Sequence, residues 1–375
     1  MMTTCGWRMD KAMRAGASLA VLVVLAAAAW AQDQRRVTLM AYNVENLFDT
    51  EDNPAREGDN TYLPLSQKGT PEHIALCERN NPPGGFRQEC LNLDWNEQVL
   101  AKKIANLATV IGRFEGGGPD ILVLEEVENQ QILNRLRLAL PGAAAYVTAI
   151  NLDDSPGRGI NVAIMSKLPV APGIPVVSTP INFPADVTQE GGQPCSSTRN
   201  LTAFTLQLPD GSPLTIFAVH MPAGGPAHPC RRFVAGQLVQ QVGALPQSRM
   251  VVVAGDTNLN CGANDQQTIK DFLQPVLFVP DEVNKGCRAP GSNFFPAQGW
   301  SFLDLIITNR SLLGNDQGGA TWFADFGSFR TVITAPELQV QTDNSNRVSP
   351  RRFKPGDGTG TSDHWPVAID LLRRK

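Results

Sequence analysis

Residues 199–220 read RNLTAFTLQLPDGSPLTIFAVH. Two β-branched and aliphatic runs, 199–208 and 214–220, flank the turn residues Pro209-Asp210-Gly211-Ser212, so this stretch predicts a β-hairpin. An antiparallel hairpin inside a chain that otherwise alternates strands with helices argues for an α/β sandwich and against a doubly wound parallel sheet. Working outward, further strand candidates are Val37 to Val44, Asp120 to Leu124, Gly159 to Ser166, Met250 to Ala254, Phe302 to Thr308 and Trp365 to Leu371. Asp94 with Glu97 three residues on reads as a capping box, followed by Leu100, Ile104, Leu107 and Ile111 at helical spacing. Further helices are expected from about Asn129 to Ala139 and from Arg231 to Leu245. Segments 50–93, 167–198, 261–299 and 309–363 read as long loops, the usual carriers of function.

The chain has 375 residues, 42% hydrophobic and 18% charged, which excludes highly charged disorder and a polytopic membrane protein. Its net charge of −4 argues against a protein that coats nucleic acid through many phosphates. At the N-terminus, Arg8, Lys11 and Arg14 precede an apolar run from Ala15 to Trp30, and Ala29-Trp30-Ala31 supplies small residues for cleavage. The expectation is a cleaved signal over 1–31 and one exported domain over 32–375, with a net charge of −6 and no stable membrane span. That product is expected to be secreted or periplasmic and monomeric.

Cys5 leaves with the signal, and six cysteines remain. An even count in an oxidising compartment reads as disulfides. The hairpin brings Cys195 and Cys230 to one end, so they are paired first; Cys77–Cys90 and Cys261–Cys287 each close one loop-rich excursion. No pair has CxxC spacing, and no cysteine is read as adjoining a histidine at ligand spacing.

Polar residues collect at strand ends. Val37 to Tyr42 runs into Asn43, Ile121 to Leu124 into Glu125 and Glu126, Leu214 to Val219 into His220, and Val251 to Ala254 into Gly255-Asp256-Thr257-Asn258. Ser362-Asp363-His364 precedes the last strand, and Asp304 lies inside Phe302 to Leu305. Apolar strands have no structural need for such ends. Converged, they form a cleft of carboxylates, amides and two imidazoles that suits Mg²⁺, Mn²⁺ or Ca²⁺ better than zinc, and suits hydrolysis of phosphate esters.

The ordered set Tyr42-Asn43-Val44-Glu45-Asn46, Leu124-Glu125-Glu126-Val127-Glu128-Asn129, Ala218-Val219-His220, Gly255-Asp256-Thr257-Asn258, Leu303-Asp304-Leu305-Ile306 and Ser362-Asp363-His364 resembles the endonuclease/exonuclease/phosphatase superfamily. His220 is similar to the deoxyribonuclease I-like branch, and Asn43 to Asn46 running into Leu47-Phe48-Asp49 looks like bacterial extracellular nucleases. The resemblance implies a four-layered sandwich of two mixed β-sheets flanked by helices. It implies Glu126 as main metal ligand assisted by Asn43, with Asp363 as a further ligand. Asp256 would orient or deprotonate water, and Asn258 would hydrogen-bond the phosphoryl group. His364, steered by Asp304, would contact the scissile phosphate; His220 would act as acid or phosphate ligand, and Arg199 would bind phosphate. Glu125 departs from the pattern, which usually carries Gln, and its extra charge is expected either to tighten the metal or to raise a neighbour's pKa.

The reading is an exported, metal-dependent nuclease acting on DNA or RNA. A phosphatase or phospholipase C-like enzyme acting on an inositol phosphate or sphingomyelin is the alternative, and a catalytically silent binding module the second. His73 and His228 read as loop residues, Asp153 and Asp154 as turn residues, and Trp95 and Trp322 as packing. Arg158 and Asn161 stay open between function and structure, as does the basic run Arg347, Arg351, Arg352 and Lys354 between a solvated loop and phosphate contact.

Overall fold

Two mixed six-stranded sheets carry the chain. The computed structural model describes residues 35–374 apart from 55, 57, 156, 281–286, 288–289, 297–298 and 315–319; the expected signal segment lies outside the described residues. The first sheet runs, edge to edge, Trp322–Thr331, Val367–Arg373, Arg36–Leu47, Ile121–Val127, Asn161–Ser166 and Thr148–Asn151. The second runs Val177–Thr179, Leu201–Gln207, Pro213–His220, Met250–Asp256, Asp304–Asn309 and Leu277–Phe278. The expected hairpin is present, with Thr202 opposite Ala218 and Gln207 opposite Pro213.

Strand alternation sorts the core. Val37, Leu39, Ala41, Ile121 and Val123 pack into the cluster shared with the second sheet. Met40, Tyr42, Leu122 and Leu124, one residue out of phase, pack instead against Leu100, Leu107, Ile111, Leu133 and Leu136 of the helices Glu97–Arg113 and Gln130–Ala139. The helix His228–Gly243 contributes Val234, Leu238 and Val242 to the core of the second sheet. The result is the expected two mixed sheets flanked by helices.

The expected disulfides are present, Cys77–Cys90, Cys195–Cys230 and Cys261–Cys287, with Cα separations of 5.7, 5.9 and 5.8 Å. Among the described residues no helix is long and apolar enough to cross a membrane. Several local expectations are corrected. Segment 50–93 holds two helices, Pro71–Asn80 and Gly85–Asn92, whose weak apolar periodicity hid them. Segment 309–363 holds the ten-residue edge strand Trp322–Thr331, broken by a register shift between Asp325 and Arg330. His73 is therefore buried on a helix, four residues before Cys77, with its ring nitrogens 3.6 and 3.8 Å from that sulfur. His73, Cys77 and Cys90 lie close together, but the two sulfurs are bonded to each other. His228 opens a helix and pairs with Glu190 at 3.3 Å.

The cap of Glu97–Arg113 also moves. Asn96 accepts from the backbone of Gln98 and Val99 at 3.0 and 3.1 Å, whereas Asp94 accepts from Leu65 N and Asn96 Nδ2. Asn96→Ala is expected to lower stability by about 1 kcal/mol in chemical denaturation, while Asp94→Ala removes no helix cap.

Candidate active site

Adjacent residues on a strand point to opposite faces, so Glu125 and Glu126 should part company. Glu125 continues the inward phase of Ile121 and Val123 and is fully buried between the sheets. Glu126 would face the helices, but pairing breaks there: the register shifts between Glu125 and Val127, and between Asn43 and Leu47 on the neighbouring strand. Glu45, Asn46 and Glu126 all take positive φ, 52°, 58° and 64°. This bulged conformation re-aims the Glu126 carboxylate into the cleft. Asn46 N donates to its Oε2 at 2.9 Å, Asn43 Nδ2 to its Oε1 at 3.4 Å, and Arg158 Nη2 to its Oε2 at 3.2 Å.

The second sheet supplies a row. His220 lies opposite Asp256, and Asp256 opposite Asp304, at the same ends of three adjacent strands. Gly255 makes this possible: its φ is +131°, and a Cβ there would stand 2.2 Å from Val219 O and 2.6 Å from Glu125 Oε1. His220 Nε2 lies 3.5 Å from Asp256 Oδ2 and 3.8 Å from Glu126 Oε1, so the row meets the first sheet. Asn43 Nδ2 joins the same carboxylate, 3.1 Å from Asp256 Oδ2. His364 arrives from the loop before the last strand, its Nδ1 2.7 Å from Asp304 Oδ2 and its Nε2 3.9 Å from Asp256 Oδ2 and 4.0 Å from Asp363 Oδ1.

These surroundings divide the charges. Burial works against a charged His364, but Asp304, Asp256 and Asp363 outweigh it and hold the imidazolium well above the usual histidine range. His220 moves the other way, well below that range, through burial and the nearby Arg199 cation, so it is neutral at pH 7. Asp256 is pushed up to about 6, mainly by burial. Burial would raise Glu126 too, but the Arg158 and Arg199 cations overcome it and lower its carboxyl to about 2. Arg199 is half-buried, its guanidinium brought down to about 10 by burial, and remains a cation at neutral pH.

Asn258 N donates to Asp256 Oδ1 at 2.8 Å and its Nδ2 to Met221 O at 3.1 Å, which fixes the amide beside the row. Asp363 has a partly exposed side chain, and its backbone N donates to Glu45 Oε2 at 3.1 Å. The sequence-derived residues therefore gather at one end of the two sheets, Asp363 at the rim. Asn161 is structural: it is buried and caps the 153–161 loop through Ser155 N. Arg158 stands in the cleft on Glu126 and Asn46. Sequence reasoning assigned no role to Glu45, which braces Arg352, Phe353 N and Asp363 N, although it lies in the Asn43–Asn46 motif. It also missed Asn293, whose Nδ2 donates to Asp363 O at 2.9 Å from a segment with no recognisable motif.

An ionised, cleft-facing carboxylate beside an amide and a second, partly exposed carboxylate is a donor set that fits a hard divalent cation. The surroundings of Glu125 act against the extra charge that both expectations assumed. Burial, then the neighbouring Asp304 and Asp256, raise its carboxyl well above the usual range and favour the neutral form, which is a near-isostere of Gln.

The family profile described as "Endonuclease/Exonuclease/phosphatase family" matches residues 93–364, the span that contains every site residue above except those of the Arg36–Leu47 strand. The chain belongs to the endonuclease/exonuclease/phosphatase family. Its members hydrolyse phosphate esters. Solved structures agree at the level of fold. A humanised TDP2 of D. rerio superposes with a TM-score of 0.51 at 13% identity, covering 90% of this chain and 98% of that one. SmcL gives 0.52 at 13% identity, covering 90% and 99%. An endonuclease/exonuclease/phosphatase family protein of Bacteroides thetaiotaomicron gives 0.50 at 15% identity, covering 90% and 95%. No curated protein matches the chain in sequence.

The native protein holds a proton on Glu125 that the unfolded chain, with a carboxyl near 4.5, releases. Stability tied to this group therefore falls as pH rises above about 4.5. Glu125→Gln is expected to raise the melting temperature, by more at pH 8 than at pH 5; a uniform loss at both pH values contradicts a neutral, unpaired acid.

Proposed function

We propose that this family member is an exported, Mg²⁺- or Mn²⁺-dependent phosphodiesterase that cleaves DNA or RNA. The observation that carries the proposal is the pairing of His364 with Asp304 at 2.7 Å while its other nitrogen faces Asp256, opposite the ionised Glu126. A divalent cation held by Glu126, with Asn43 and Asp363, would offset charge on the phosphoryl oxygens.

The chain's own groups then divide the remaining work. Asp256, raised to about 6, receives the proton of the attacking water as the new P–O bond forms. The His364 imidazolium, kept charged by Asp304, binds the scissile phosphate, and Asn258 and Arg199 donate to the same oxygens. Neutral His220 orients the phosphate, and the leaving oxygen departs in line with attack as the old P–O bond breaks, taking its proton from solvent water. An acidic protein fits this chemistry because turnover needs only a short stretch of backbone, with positive charge supplied locally by Arg158, Arg199 and the cation. A D. rerio TDP2 has been solved with a single-strand DNA product, which favours nucleic acid as the substrate class. Export is supported by the three disulfides and the N-terminal pattern.

Purified protein is expected to nick plasmid DNA or cleave single-stranded RNA with Mg²⁺ or Mn²⁺, to stop with EDTA, and to lose about 10²–10⁴-fold in kcat on His364→Ala. Hydrolysis of sphingomyelin or an inositol phosphate with DNA and RNA left intact overturns the nuclease reading. Inactivity on all four substrates in Mg²⁺, Mn²⁺ and Ca²⁺ favours a binding module.

A further inference from the structure

A cavity of about 340 Å³ opens beside the metal end of the cleft, between the 45–46 turn, the stapled helices of 71–92 and the 352–356 loop. Asn46 belongs to both places: it lines the cavity, and its backbone N donates to Glu126 Oε2. The inner wall is aromatic. Tyr62 stacks on Phe48 with ring centroids 4.3 Å apart and meets Trp95 edge-on at 5.3 Å, and Trp95 meets Phe353 at 6.0 Å. Trp95 and Phe353 are buried, which leaves half-buried Tyr62 as the accessible ring.

The rim is cationic. Arg352, exposed on the lining, donates Nε to Glu45, with Asp363 and Glu89 as further acidic neighbours. Lys354 is exposed on the lining, with the Asp357 carboxylate near enough to feel its charge. Lys103, buried at the base, spends its amine on Glu45 O and Thr361 O and sits 5.0 Å from the Phe353 ring centroid. Glu89, on the lining, is an acceptor suited to an exocyclic base amine.

An accessible ring with two exposed cations next to a phosphoester cleft is the combination by which proteins hold single strands: bases stack, and phosphates meet Arg and Lys. We infer that this cavity is a subsite for the nucleotide flanking the scissile phosphate of a single-stranded nucleic acid, with Tyr62 against the base and Arg352 and Lys354 on the neighbouring phosphate. The inference rests on the nuclease reading and deepens it. The cavity matches a nucleotide in size, since small-ligand sites begin at about 300 Å³. Four of its lining residues, Glu45, Asn46, Tyr62 and Glu89, lie upstream of the matched family span, and the others lie within it.

The test compares a 5′-labelled single-stranded 12-mer with bis(4-nitrophenyl) phosphate, a diester that carries neither a nucleobase nor a neighbouring phosphate. Arg352 is left alone because it also holds Glu45. Lys354→Glu is expected to raise KM for the 12-mer by about tenfold, with a shallower salt dependence and an unchanged kcat/KM on the small diester. Tyr62→Leu is expected to weaken 12-mer binding by about 5- to 100-fold with the same small-diester reference. Parallel losses on both substrates, or no change with the 12-mer for either variant, overturn the subsite. Anisotropy of the labelled 12-mer in EDTA separates this from the parent reading. Weaker binding by Lys354→Glu supports the subsite even if no substrate is hydrolysed, and equal binding by wild type and variant overturns it even if DNA is cleaved.

Discussion

The site depends on a single break in strand alternation. Regular pairing would send Glu125 inward and Glu126 outward onto the helices, away from every other polar group of the cleft. Positive φ at Glu45, Asn46 and Glu126 and the paired register shifts cancel that alternation for one residue. Two adjacent carboxyls then serve on the same side of the sheet in different states. Glu126 is ionised by the cations at the mouth, and Glu125 is neutral in the dry space between the sheets. Such φ values for non-glycine residues are unfavourable, and the hydrogen bonds from Asn46 N and to Glu45 hold them in place.

The second sheet meets this bulge with a regular row. Because His220, Asp256 and Asp304 are direct cross-strand neighbours, their separations follow from strand spacing, and a glycine before Asp256 lets the sheets close on Glu125. Acidic groups outnumber basic ones in the row, which keeps His364 charged. Burial, with the two arginines nearby, does the opposite to His220 and keeps it neutral. Thus one pocket holds two histidines in opposite protonation states.

Much of this was legible in the sequence. The hairpin turn Pro209 to Ser212, the aliphatic strands and the three cysteine pairs follow from local chemistry, and the polar residues at strand ends converge as their positions implied. The bulge was not legible, because nothing in Leu124-Glu125-Glu126-Val127 marks which residue leaves the ladder. The helices of 71–92 were hidden by polar, weakly periodic faces that a disulfide holds together. The cap at Asn96 was lost to Asp94 because both are good capping residues with acidic residues nearby. The bracing of Asp363 by Glu45 and Asn293 depends on contacts between segments 70 or more residues apart, which no local pattern encodes.

The central claim is that the re-aimed Glu126, and not its neighbour, carries the metal. Titration calorimetry with Mn²⁺ on the purified wild type, Glu126→Gln and Glu125→Gln tests it directly, since binding is read without turnover. The account predicts comparable Mn²⁺ binding by wild type and Glu125→Gln, and its loss in Glu126→Gln. Binding retained by Glu126→Gln, or lost in Glu125→Gln, would contradict it.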